Sequence, residues 1–278
     1  ENFHQSLKFM KTITEQSGKH RDLEKKSIQE LTSAINAEDQ SVAYAIEKEL
    51  PAINALIEKI VSKLKAGGKM YYIGAGSGGR LSVLDVIELP TTYGIEPGLI
   101  DAILAGGKEN LVLALEEKED DTTAGWTTLV QKNISDKDFV LGISASGSTP
   151  FVLSALKQCR ENGITTGCIV SNPNSAIAEY ADFPIEVITG PEFICGSTRM
   201  KCATAQKMLF DMISTTTLIC LGRVEDNRMV NVKLINNKIT DRAVKMLMEK
   251  SGISNYEEAQ KLLLEHGSVK IALDFIRS

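Results

Sequence analysis

Five short apolar runs alternate with helical patterns through the middle of this chain, and each run ends in a loop of turn-forming residues. Met70-Tyr71-Tyr72-Ile73 ends at Gly74, and Ile100 to Ala105 precedes Gly106-Gly107. Phe139 to Ile143 precedes a Ser/Gly-rich loop, Thr165 to Val170 precedes Ser171-Asn172-Pro173, and Phe183 to Ile188 precedes Gly190-Pro191. Such alternation predicts an α/β fold built on a doubly wound, five-stranded parallel sheet. In sheets of this kind ligands bind outside the carboxyl ends of the strands. The loops after the runs are therefore where function is expected.

Helical patterns flank the sheet region and divide the chain into an N-terminal helical segment over 1–67, a sheet domain over 68–222 and a C-terminal helical region over 223–278. Asp22 is placed to cap a helix through Ile35, and Asp39 to cap a second that runs to about Lys65. Pro51 predicts a kink or break in that second helix. Helices are also expected from Leu81, over Pro150 to Asn162, over Met200 to Leu221, within Arg228 to Glu249 and over Asn255 to Glu265. Met200, Met208 and Met212 recur at helical spacing and read as core. His4, His20 and His266 lie away from the loops and read as structural or surface residues.

Composition narrows the function classes. With 43% hydrophobic residues the chain can bury enough apolar surface to fold. Lys+Arg is 31 against Asp+Glu 36, a net charge of −5, which argues against a nucleic-acid partner. Cys159, Cys168, Cys195, Cys202 and Cys220 are an odd number without a CxxC pair, so neither a disulfide framework nor a zinc site is expected. Glu1 to Lys8 is polar, and Met212 to Gly222 is too short to span a bilayer. The expectation is a cytoplasmic protein with no membrane contact and no metal.

Three loops carry candidate chemistry. Gly74-Ala75-Gly76-Ser77-Gly78-Gly79-Arg80 stands between a strand and a helix, with Gly76, Ser77 and Gly78 as candidate ligand contacts. A dinucleotide reading would want an acidic residue at the end of the second strand, whereas Asp101 opens it. Backbone amides at a helix start suit an anion or a sugar instead. Ser144-Ala145-Ser146-Gly147-Ser148-Thr149 sets hydroxyls ahead of a helix whose first residue is Pro150, a pattern suited to wrapping a phosphate. Ser144, Ser146, Ser148 and Thr149 are its candidates. Capping alone would need one hydroxyl. In the third loop Glu192 precedes Gly196-Ser197-Thr198-Arg199-Met200-Lys201. Cations at a helix N-terminus oppose the helix dipole, and an anion would relieve that conflict. Ser197, Thr198 and Lys201 are the candidates there.

Together the GxGSGGR, SASGST and GPEFICGSTRMK segments resemble sugar isomerase (SIS) domains, which bind phosphosugars on a flavodoxin-like sheet. More narrowly, the chain is similar to the N-acetylmuramic acid 6-phosphate etherase family and its relative, glucokinase regulatory protein. The likeness extends to Ile35-Asn36-Ala37-Glu38-Asp39, Asp85-Val86-Ile87-Glu88-Leu89-Pro90 and Leu115-Glu116-Glu117-Lys118-Glu119-Asp120.

The resemblance implies a lyase that removes D-lactate from the 3-position of a 6-phosphosugar, without metal or nucleotide cofactor, in a homodimer. A base removes the C2 proton of the open-chain aldehyde, an acid protonates the departing lactyl oxygen, and water then adds to the unsaturated aldehyde. It assigns Glu88 as the principal acid/base and Glu119 as a second catalytic carboxylate. The apolar neighbours Val83, Leu84, Val86, Ile87 and Leu89 suggest a Glu88 carboxyl whose neutral form is favoured, at a helix end near the binding edge. Glu192 is assigned to orienting the sugar. Two other readings stay open, a phosphosugar-sensing regulatory protein and an aldose–ketose isomerase. Gly78 stands where the family pattern has a hydroxyl, and Ser148 where it has an arginine.

Overall fold

The computed structural model describes residues 12–277; the polar opening stretch and His4 lie outside the described residues. Ser27, not Asp22, starts helix α1 (Ile28–Glu47). Its hydroxyl accepts from the Glu30 N–H while the Glu30 carboxylate accepts from the Ser27 N–H, so one box satisfies two orphan donors. Asp22 instead adopts a left-handed conformation before a short 3-10 turn, Leu23–Lys25. Asp39 caps nothing and sits exposed inside α1. The chain breaks at Lys48-Glu49, and Pro51 lies in the first turn of α2 (Leu50–Lys65), where its missing N–H costs no hydrogen bond.

Strands β1 (Met70–Gly74), β2 (Ile100–Leu104), β3 (Phe139–Ser144), β4 (Thr165–Val170) and β5 (Phe183–Glu186) pair in parallel in the order β2-β1-β3-β4-β5. Helices cover both faces, so the strands read as continuous apolar runs although their side chains alternate between two cores. Met70, Tyr72, Phe139, Leu141 and Ile143 join α2, α3 (Gly76–Tyr93) and α6 (Lys201–Cys220) on one face. Tyr71, Ile73, Val140, Cys168 and Val170 join α4 (Ala124–Gln131) and α5 (Pro150–Glu161) on the other. Helices α7 (Asn237–Ser251), α8 (Tyr256–His266) and α9 (Val269–Arg277) pack around a separate cluster that includes Val244, Leu247, Leu263 and Leu273. The segment leading to them is tied to the end of α3 by the Lys233 N–H, which donates to the Thr91 carbonyl.

A buried carboxyl lies between α3 and α6. The Asp85 carboxyl accepts from the Ser214 hydroxyl at 3.0 Å and from the Tyr72 hydroxyl at 3.3 Å. Burial outweighs these bonds and raises its pKa to about 6. The native state thus holds a proton that the unfolded chain has already released, and stability is expected to fall as the pH climbs from about 4 through about 6. The loss should be on the order of 3 kcal/mol by neutrality. Urea midpoints across this range test it: Asp85→Asn should lack the decline, and equal declines in both proteins would refute the assignment.

Candidate active site

The β1–α3 connection has no spare length. A Cβ on Gly79 would meet the Gly74 carbonyl carbon at 2.7 Å and Leu104 Cδ1 at 2.6 Å, so only glycine lets the helix start directly on the strand end. The glycine segment is accordingly the first turn of α3 rather than a loop before a helix at Leu81. Its N-cap residue, Ala75, has no side chain able to cap that turn. The first helical bond is Gly79 N–H to the Ala75 carbonyl, so the amides before it have no partner within the helix, at its positive end.

Beside it, the loop after β3 is tied into a hydroxyl cluster. Ser144 Oγ lies 2.7 Å from Thr149 Oγ1 and 3.3 Å from Ser146 Oγ, and accepts from the Gly147 N–H at 3.0 Å. Gly147 has φ +74°, and a Cβ there would strike Ser175 at 2.2 Å. The Asn172 amide donates to the Ala145 and Ser146 carbonyls at 3.1 and 3.2 Å, and to Thr14 Oγ1 at 3.1 Å. Asn172 thereby fastens the loop to the N-terminal segment, which delivers Glu15.

A cleft of about 370 Å³ lies between these loops. Gly76, Ser77, Gly78, Ser144, Ser146, Thr149, Ser197, Thr198 and Glu119 line it together. So do four residues with polar or charged side chains that were not among the candidates: Glu15, Glu116, Arg199 and Gln206. Arg199 and Gln206 lie in or just after the third loop and were within sight of the sequence argument. Glu15 had no local signal, because the long-range contacts of Thr14 and Asn172 bring it there. Glu116 ion-pairs with Arg80 at 3.1 Å. Glu119 is half-buried; burial, then the charges of Glu116 and Asp120, raise its carboxyl above the ordinary range against the pull of Arg80.

Four candidates do not line the cleft. Ser148 is exposed, and its hydroxyl donates to Ser146 Oγ at 3.1 Å. Glu192 is fully buried and accepts from the Lys201 and Cys202 N–H groups at 2.9 and 3.0 Å, so it caps α6. Lys201 is buried on Glu38 at 2.6 Å, and Glu38 also binds Lys19 and His20. Burial alone would raise the Glu38 carboxyl, but hydrogen bonds from Lys19, Lys201 and His20 hold it at about 2. Lys201 therefore faces a carboxylate within the fold, not an anion in the cleft.

Glu88 stands away from the cleft of its own chain, not near the binding edge. Helix α3 runs away from the binding edge and carries it about 18 Å beyond Gly76 at the usual helical rise. Its side chain is exposed rather than in apolar company. Val83 and Leu89 are buried on the core side, while Leu84 and Ile87, 41% and 58% exposed, share the outer surface with it. Asp101, weighed against a nucleotide ribose, is held by Lys108 and Lys132 at 2.6 and 2.7 Å.

Among the described residues no group of three or more His, Cys, Asp and Glu side chains is arranged to hold a metal ion. No helix among them is long and apolar enough to cross a membrane.

The chain matches the model of the glucokinase regulatory protein N-terminal SIS domain over residues 52–160 and that of the SIS domain over residues 124–215. Among solved structures it is similar to phosphoheptose isomerases from Francisella tularensis (TM-score 0.53, 19% identity, 72% of this chain and 100% of that one) and Neisseria gonorrhoeae (TM-score 0.51, 18% identity, 71% and 100%). Those similarities speak to the fold. Proteins named N-acetylmuramic acid 6-phosphate etherase are much nearer in sequence. The one from Bacteroides fragilis is 52% identical over 94% of this chain and 93% of its own length, and the one from Bacteroides thetaiotaomicron 49% identical over 98% and 97%. The one from Clostridioides difficile is 40% identical over 96% and 88%. This chain belongs to the N-acetylmuramic acid 6-phosphate etherase family.

Proposed function

We propose that this chain is a carbon–oxygen lyase that releases D-lactate from N-acetylmuramic acid 6-phosphate and leaves N-acetylglucosamine 6-phosphate. The observation that carries the chemistry is the meeting, in one cleft, of a hydroxyl cluster, an uncapped helix N-terminus and a carboxyl with a raised pKa. The phosphate accepts hydrogen bonds from Ser144, Ser146 and Thr149 and from the first amides of α3, where the helix dipole favours an anion. In the open-chain sugar the C2 proton is acidic beside the aldehyde. Its removal and cleavage of the C3–O bond give an unsaturated aldehyde and lactate. Water adds its hydroxyl to C3 and a proton to C2. The raised pKa of Glu119 suits it to giving the departing lactyl oxygen a proton and taking one from the incoming water.

The base role of Glu88 requires a second copy of the chain. Within one chain the side chain stands on the far part of α3, and the exposed Leu84 and Ile87 beside it make a face that a second copy would cover. In the homodimer we propose, the Glu88 that serves each cleft comes from the other chain. Phosphosugar sensing without turnover is the second reading, favoured if the chain works as a monomer. A cytoplasmic setting accords with a phosphorylated substrate.

Lactate release from N-acetylmuramic acid 6-phosphate tests the activity. Glu119→Gln is expected to lower kcat by about 10²- to 10⁴-fold with little change in KM, and an unchanged kcat would remove Glu119 from the reaction. Tight phosphosugar binding by the wild-type chain with no lactate released would favour the sensor. A mixing experiment tests the shared site. Glu88→Gln and Glu119→Gln should each be inactive, whereas a purified dimer of the two variants holds one complete site and should recover about half of the wild-type activity. No recovery would mean that Glu88 does not act across the dimer.

A further inference from the structure

A second groove of about 490 Å³ opens beside the cleft and shares Ser77 and Arg199 with it. It runs between the first turns of α3 and α6, and its floor includes Leu81, Ala203 and Met208. Among the described residues three cations line it, and two are already engaged: Arg80 pairs with Glu116 at 3.1 Å and Lys207 with Asp211 at 2.5 Å. Arg199 makes no ion pair among the described residues. Its guanidinium is exposed at the junction of the two cavities.

On the etherase reading the substrate carries two anions, the 6-phosphate and the carboxylate of its ether substituent. The cleft has hydroxyls and amides for one anion, and three carboxylates, Glu15, Glu116 and Glu119, that would repel another. The groove has the opposite character. Among the described residues it has no lining carboxylate and its Arg199 guanidinium makes no ion pair, and it offers apolar surface for a methyl group. We infer that Arg199 is the specificity residue for the 2-hydroxy-acid substituent, binding its carboxylate in this groove while the phosphate sits in the hydroxyl cluster. A planar guanidinium takes a carboxylate through two parallel hydrogen bonds, a geometry that a lysine cannot reproduce. The ether oxygen then falls between the two anion sites, in the cleft that Glu119 lines.

The inference rests on the etherase reading, and its test separates the two. Kinetics of wild type and Arg199→Gln are compared on N-acetylmuramic acid 6-phosphate and on its neutral lactyl amide, with N-acetylglucosamine 6-phosphate as an inhibitor that lacks the substituent. Wild type should prefer the acid over the amide by about 10- to 100-fold in kcat/KM. Arg199→Gln should lose that factor on the acid alone, Arg199→Lys should recover part of it, and inhibition by the unsubstituted sugar should stay within about twofold. Equal losses on acid and amide would overturn the assignment. So would inhibition that weakens in step, which would move Arg199 to the phosphate. A changed oligomeric state with acid preference intact would mean that a second copy covers the groove instead. If wild type releases no lactate at all, the etherase reading fails, and calorimetric binding of acid against amide still decides the role of Arg199.

Discussion

In the strand order β2-β1-β3-β4-β5 the chain leaves β1 toward one edge of the sheet and leaves β3 toward the other. Right-handed crossovers then force the two connecting helices onto opposite faces. Val83 and Leu89 of α3 lie in one core, and Phe151, Val152 and Leu156 of α5 lie in the other. The two helix starts therefore diverge from adjacent strand ends and leave a crevice between them. The candidate site depends on that reversal. It sets the amides of the first glycine turn beside the hydroxyls of the Ser144–Thr149 loop, which are separated by the whole β1–β3 crossover in sequence.

The polar groups around this crevice divide into those that line the cleft and those bonded within the fold. Those with residual exposure, such as Ser146, Thr149, Thr198 and Glu119, line the cleft. Glu192, Lys201 and Glu38, buried beside it, are already satisfied by the protein. Glu192 supplies the α6 cap, and Lys201 and Glu38 neutralise each other below the loop. A buried charge without such a partner would cost several kcal/mol, so these groups have no bond left to offer a ligand. They act on the site indirectly, by holding the start of α6 where Ser197, Thr198 and Arg199 reach the cleft. Asn172 does the same for the hydroxyl loop, through bonds to backbone carbonyls on one side and to Thr14 on the other.

Much of the fold was legible because its signals are local. The five apolar runs became the five strands with boundaries shifted by at most two residues, and the Gly and Ser loops after them include the two that face the crevice. Helix starts were less legible where several residues competed. Ser27 with Glu30 outbids Asp22 because two reciprocal bonds outweigh one, and the glycine turn joins α3 because close packing on Gly74 leaves no room for a loop. At the site, Ser144, Ser146 and Thr149 of the hydroxyl loop picked out by residue type line the cleft. Residue type could not separate Lys201 from Arg199, two cations in one segment, since the difference lies in Glu38, far away in the chain.

The sequence by itself determined the alternation of strand and helix, the places where the backbone turns, and the residue types able to hold an anion, because each follows from spacing and side-chain chemistry within a few positions. Only the tertiary structure decided which of those residues face the same space. Glu15 enters the cleft through long-range hydrogen bonds, Glu192 and Lys201 are drawn into the fold by helix capping and ion pairing, and Glu88 is carried off by the length of a rigid helix. Burial and direction are properties of the packed chain, and they decide whether a polar group bonds to the protein or is left for a ligand.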